Sequence, residues 1–157
     1  MRRSDRKISD RKTIDHIIRR CTVCRLGLSF DGQPYIVPLC FGYDGRSLYF
    51  HGATEGQKID MIKKNNNVCF EFDTPGKIIT GDQACKWGML YESVIGFGTA
   101  SILERTELKR EGLNHIMGQY SGKTWTFPDD TLEKTIVIRV EITEISGKAR
   151  TIGNYRA

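Results

Sequence analysis

The chain has 157 residues, 39% of them hydrophobic and 10% aromatic, with a formal net charge of +5. That length and apolar content describe one folded domain (1–157) that buries a core without staples, and they exclude a disordered chain. No apolar run reaches the length of a membrane span, and the basic opening "MRRSDRKISDRK" leads into no apolar signal segment, so a cytoplasmic protein with no membrane partner is expected.

Six basic residues fall in the first twelve positions (Arg2, Arg3, Arg6, Lys7, Arg11 and Lys12), offset by Asp5 and Asp10. Residues 1–9 read as a solvated basic arm, and nucleic acid is not the expected partner. Asp10 caps a predicted helix whose apolar positions Ile14, Ile17, Ile18 and Cys21 share one face. Leu26, Leu28 and Phe30 alternate as a strand, and Asp31-Gly32 turns it into "QPYIVPLCFGY", where Tyr35, Val37, Leu39, Phe41 and Tyr43 lie on one side. Asp44-Gly45 makes a second turn into "SLYFH". Pro34 and Pro38 fall in or beside the middle strand. Pro38 cannot donate to a ladder, so it predicts an interruption there, read either as a plain bulge or as a ligand-facing gap.

A short helix follows His51, with Ile59 and Ile62 inward and the run Asn65–Asn67 at its end. Val68, Phe70 and Phe72 then alternate with Cys69, Glu71 and Asp73. A long crossing strand, "LYESVIGFGTASILE", carries Gly96 and Gly98 on one face, which predicts close packing or a bend. Thr106 opens a helix with Leu113, Ile116, Met117 and Tyr120 in register and Gly122 beyond its end. Ser121 to Glu133 reads as loop, and Ile136 to Ile142 as the last strand. The whole predicts a mainly β (α+β) fold: a small six-stranded antiparallel barrel with about three peripheral helices.

Five cysteines (Cys21, Cys24, Cys40, Cys69 and Cys85) are an odd set with several in apolar runs, which predicts free, buried thiols. Cys21 and Cys24 form a C-x-x-C without the second pair that a zinc site needs, so no metal is expected.

The stretch "LYFHGATEGQKIDMIKKNNNVCF" invites comparison with a P-loop, and fails it. Gly52 and Gly56 are one residue too close, Gln57 separates Gly56 from Lys58, and Ile59 stands where a magnesium-binding hydroxyl belongs. Two readings remain. One is an anion cradle at a helix N-terminus, with glycines for close approach and Lys58 for charge; the other is a plain tight turn with a surface lysine.

"PYIVPLCFGYD", "LYFHGATEGQKIDMIKKNNNVCFE", "YESVIGFGTASIL", "GKA" at Gly147–Ala149 and the opening "MRRSDR" together resemble the pyridoxamine 5′-phosphate oxidase-like FMN-binding split barrels, nearest the nitroimidazole-resistance (Nim) subgroup. The resemblance implies a homodimer of six-stranded split barrels with FMN at the subunit interface. It implies that Val37, Pro38, Leu39 and Cys40 lie along the flavin ring, that Phe50, His51, Gly52 and Ala53 border it, and that Gly56 and Lys58 hold its phosphate. Tyr91, Glu92, Ser93 and Val94 would be contributed by the partner subunit. It implies an oxidoreductase acting on a small electrophile such as a nitroimidazole or nitroaromatic. A flavin carrier or sensor without turnover, and a haem- or deazaflavin-binding relative, are the alternatives.

By the same resemblance His51 has two readings: a proton donor in the chemistry, or a hydrogen-bonding neighbour of the cofactor. His16 and His115 read as surface or edge residues. Trp125 either folds over a ligand or packs on the nearest apolar edge. Cys85 and Trp87 receive no role. The arginine-rich substrate pattern of pyridoxamine phosphate oxidase proper has no match here, although Arg150 and Arg156 are available, so vitamin B6 chemistry does not follow from the family.

Overall fold

The structure is a computed structural model that describes residues 4–151; Arg2, Arg3 and Arg156 lie outside the described residues. A single helical turn at Ser4–Arg6 leads into a two-residue strand β1 (Lys7–Ile8), which pairs with the end of the last strand, Lys7 opposite Lys148 and Ile8 opposite Gly147. This part of the arm is thus built into the sheet. Helix α1 (Arg11–Arg20) starts where Asp10 accepts the Thr13 N–H at 2.8 Å, and Ile14, Ile17 and Ile18 are buried.

Strands β2 (Cys24–Phe30) and β3 (Gln33–Leu39) form the first hairpin. Asp31 and Gly32 both hold positive φ, 50° and 74°, which suits the right-handed twist of the flanking strands. After Cys40 and Phe41 the chain re-enters the sheet as β4 (Gly42–Tyr43), turns at Asp44-Gly45 and runs back as β5 (Ser47–Gly52). Helix α2 (Gln57–Lys64) buries Ile59, Met61 and Ile62, and β6 (Asn67–Asp73) buries Val68, Phe70 and Phe72. A short β7 (Lys77–Ile79) pairs with the start of the sixteen-residue β8 (Gly88–Leu103). Helix α3 (Thr106–Ser121) ends on Gly122 in the left-handed conformation, and β9 (Ile136–Arg150) closes the chain.

The strand order is β3-β2-β6-β8-β9-β5-β4, with every pairing antiparallel. The two outermost strands, β3 and β4, are neighbours in sequence. The barrel is therefore closed by the covalent chain at Cys40-Phe41 and left open in its hydrogen bonds, which is the expected split barrel.

Gly96 and Gly98 meet the expectation of close packing. A Cβ at Gly96 would overlap the Phe70 ring, and one at Gly98 would overlap the Glu141 carbonyl, at the point where the β8–β9 register shifts. Inside, Phe41, Phe50, Phe70 and Phe72 are fully buried, with Phe41 and Phe72 edge to face at 4.8 Å.

Three expectations need correction. The interruption expected at Pro38 lies two residues later, because Pro38 still pairs with Arg25 and the ladder runs to Leu39. An edge strand tolerates proline when the missing N–H faces the open side. The loop expected through Glu133 contains a five-residue helix, α4 (Asp129–Glu133), started by Pro128 and pinned by buried Leu132. Finally, β9 continues past Ile142 to Arg150, because β8 pairs with it as far back as Tyr91.

Candidate functional site

The opening in the barrel lies between the end of β3 and the end of β5. The β4–β5 ladder stops at Gly42 opposite Tyr49. Continuing that register would bring Phe41 beside Phe50 and Cys40 beside His51, but no ladder forms there. The inner residues of this gap, Phe41 and Phe50, belong to the core; Cys40 and His51 are exposed. Val37 and Leu39 are half-buried against the core, whereas Pro38 is exposed.

At the foot of the gap sits the start of α2. Its N-cap, Gly56, has φ +124°, a conformation that side chains rarely adopt, and it makes no side-chain cap. The first-turn N–H groups of α2 therefore have no side-chain acceptor. Lys58 folds back over the same place: a Cβ on Gly52 would lie 3.1 Å from its Nζ. The ammonium is half-buried, burial lowers its pKa, and among the described residues no carboxylate pairs with it. An incompletely hydrated cation beside an uncapped helix N-terminus is a site for an anion.

The expected contacts divide by direction. His51, Ala53 and Gly56 are exposed and Gly52 is half-buried, so these line the opening, whereas the Phe50 side chain is fully buried. On β8, Val94 is fully buried, and Glu92, in the same strand phase, is held by Arg20. Tyr91 and Ser93 lie on the outer face, opposite Arg150 and Lys148, with the Lys148 ammonium 5.9 Å from the Tyr91 ring.

That outer face is a feature the sequence reading missed. One row across it runs Ile36, Gly27, Cys69, Phe97, each opposite the next in the ladders. Ile36, Ile95 and Phe97 are 68%, 47% and 51% exposed, and Ile36, Gly27 and Phe97 line a shallow cavity of about 540 Å³. Arg25, bonded to Glu71 and Asp73, borders the apolar patch. Strand alternation carries the signal, since Ile95 and Phe97 occupy the phase opposite to buried Val94 and Gly96.

Other candidates are placed differently. All five cysteines are free, but only Cys21 and Cys24 are buried; Cys40 and Cys85 are exposed and Cys69 is intermediate. Burial raises the Cys21 thiol to about 11. His16 is exposed, and His115 stacks on Tyr49 at 4.6 Å. Trp125 is bound to the end of α3, its N–H bonded to Asn114 and its indole to Ser121. Trp87 donates to the Gly81 carbonyl and remains 54% exposed. Among the described residues there is no cluster with metal-ligand geometry and no helix long and apolar enough to cross a membrane.

Comparison with known proteins adds the following. A family profile described as pyridoxamine 5′-phosphate oxidase matches residues 10–149. A candidate 5-nitroimidazole antibiotic resistance protein from Bacteroides thetaiotaomicron superposes with a TM-score of 0.83 at 34% identity, over 91% of this chain and 86% of that one. The flavocytochrome Anf3 from Azotobacter vinelandii gives a TM-score of 0.85 at 21% identity, over 96% of this chain and 72% of that one. An FAD-binding protein from Mesorhizobium loti gives 0.69 at 24% identity, over 93% and 96%. An uncharacterized protein of Rhizobium meliloti is 31% identical over 65 residues, 41% of this chain and 42% of that protein, so the match spans less than half of this curated relative.

Proposed function

The chain belongs to the pyridoxamine 5′-phosphate oxidase family, and on that premise we propose that it is a cytoplasmic FMN-dependent oxidoreductase that reduces a small electrophile such as a nitroimidazole or nitroaromatic. The observation that carries the reading is the half-buried Lys58 ammonium folded over Gly52 beside the uncapped start of α2. These residues fit a phosphate monoester: a cation, free N–H groups and no side chain at position 52 to bar its approach. The gap from Pro38 to Cys40 on one side and His51 to Ala53 on the other suits a flat ring with an edge open to solvent.

The bound flavin supplies the electron transfer, so the protein needs no acid–base triad. This chain's own residues bind and orient. Lys58 and the α2 N–H groups hold the phosphate, while Val37, Pro38, Leu39 and Cys40 give the ring one wall. His51, exposed at the strand end, holds or delivers a proton at the open edge. Choice of a nitro compound draws on the similarity to the Bacteroides protein.

We further propose a homodimer through the outer face. Ile36, Ile95 and Phe97 form an apolar centre with a charged border, and Tyr91 and Ser93, expected to reach the partner's flavin, share that face.

The test is the absorbance spectrum of the purified protein, taken again after adding FMN and dialysing. Flavin absorbance that stays with the protein, and that a nitroimidazole restores after chemical reduction, is the expected result. Retained FMN with no reoxidation would leave a carrier. A haem band or no flavin would overturn the reading.

A further inference from the structure

The break between β3 and β4 is held by a residue from a distant part of the chain. Tyr120, in the last turn of α3, accepts the Phe41 main-chain N–H on its phenolic oxygen at 3.0 Å and donates to the Thr22 carbonyl at 2.7 Å. Phe41 is the first residue beyond the β4–β5 ladder, so a side chain takes the place of the missing strand partner. Its ring is fully buried, edge-on to the Tyr120 ring at 6.5 Å and 76°. Both the side chain and the N–H of Phe41 are therefore fixed, immediately beside exposed Cys40.

Burial raises the phenol to about 12, the Cys40 thiol adding to the rise, so it keeps its proton at physiological pH and holds the Thr22 carbonyl while accepting from Phe41. The neighbouring Gln119 makes a separate tie, donating to the carbonyls of Arg19 and Cys21 at 3.1 and 3.0 Å. Gln119 docks α3 on α1, whereas Tyr120 reaches through that junction to the strand break.

We propose that Tyr120 is a positioning residue for the flavin slot: by anchoring Phe41 it holds Pro38–Cys40 away from the end of β5 and keeps the slot open to a planar ring. The inference rests on the flavin reading and deepens it, because the segment Tyr120 holds is the one assigned to the ring.

The experiment compares wild type, Tyr120→Phe and Gln119→Leu. In protein without added flavin, amide hydrogen exchange at Phe41 is expected to be protected in wild type and in Gln119→Leu, and to accelerate about tenfold in Tyr120→Phe. FMN titration is expected to show about tenfold weaker binding, with a shifted visible flavin spectrum, in Tyr120→Phe alone. Gln119→Leu is expected to lower the melting temperature and leave the bound spectrum unchanged. An FMN affinity and spectrum in Tyr120→Phe equal to wild type would overturn the positioning role while leaving the flavin reading intact. Wild-type protein that takes up no FMN would remove both. Should Tyr120→Phe not fold, an unprotected Phe41 amide in the wild type overturns the proposal by itself.

Discussion

The Lys58 ammonium lies directly over Gly52, so close that a Cβ at position 52 would sit 3.1 Å from Nζ. A cation that packs on bare backbone, lowered in pKa by burial and lacking a carboxylate partner among the described residues, is incompletely compensated in the free protein. Lys58→Gln is expected to weaken FMN binding about ten- to hundredfold, the range of one charge-assisted hydrogen bond, with little loss of thermal stability. Fluorescence titration in low and high salt checks it: wild-type affinity falls with salt, and that dependence shrinks in the variant. Equal affinity in both proteins would remove Lys58 from the phosphate site.

Cys40 offers a chemical probe of the slot. Among the described cysteines, Cys40 and Cys85 are exposed, whereas Cys21 and Cys24 are buried and burial raises both thiols. Maleimide labelling read by peptide mass is expected to modify Cys40 and Cys85 first. Saturating FMN should then protect Cys40 and leave Cys85 reactive. Labelling of Cys40 at an unchanged rate would place the flavin elsewhere.

The outer face predicts assembly. Ile36 and Phe97 stand at the two ends of one row with two strands, at Gly27 and Cys69, between them, so a charge placed in that apolar row is buried against the partner in a two-fold interface. Phe97→Glu is expected to convert a dimer to a monomer in sedimentation and to lose flavin with it. Wild-type protein that sediments as a monomer with flavin bound would sink the shared-site picture.

Much of this was legible in the sequence because it rests on local physics. The Asp10 cap, the Asp31-Gly32 and Asp44-Gly45 turns, and the alternation of Val68, Phe70 and Phe72 each follow from a few neighbouring residues. The spacing of Gly56 and Lys58 left two readings open, an anion cradle and a plain turn with a surface lysine, because spacing alone does not say where the lysine folds. What stayed hidden is non-local. Pro38 misplaces the interruption by two residues, since where a strand leaves its partner depends on which edge that partner offers. Tyr120 read as one more apolar position on a helix, and its bond to Phe41, 79 residues away, has no signature in the chain. Val94 and Glu92 illustrate the same limit: a motif names a run of residues, but the strand phase and the neighbouring helix decide that Val94 is buried and that Glu92 pairs with Arg20.

Close packing at the bend predicts a folding defect separate from cofactor loss. Gly96 lies against the Phe70 ring and the Glu144 carbonyl, 2.7 Å from where its Cβ would be. Gly96→Val forces β8 away from β6 and β9 and is expected to destabilise by about 1–3 kcal/mol or more. A thermal or urea unfolding curve checks it, and a variant as stable as wild type would show that the strands are not held at this distance.

Alkaline pH gives the last prediction, from three phenols. Burial raises Tyr43, Tyr49 and Tyr120 from 10.0 to about 12. Each also donates a hydrogen bond: Tyr43 to Asp15 at 2.6 Å, Tyr49 to Asp44 at 2.8 Å and Tyr120 to the Thr22 carbonyl. A phenol must keep its proton to donate, so the folded state resists ionisation where the unfolded chain does not. The sign follows from proton counts. Below pH 10 both states are protonated and the full stability is present; above it the unfolded state loses protons first, so stability falls as pH rises toward the folded values. Melting temperature is therefore expected to drop steeply from about pH 10 to 12. In Tyr49→Phe the slope should flatten, at the expense of lower stability at neutral pH, since Asp44 loses a donor. A melting temperature that stays flat from about pH 10 to 12 would mean that these three hydroxyls ionise as readily in the folded chain as in the unfolded one, and that they do not hold α3 and the β4–β5 turn in place.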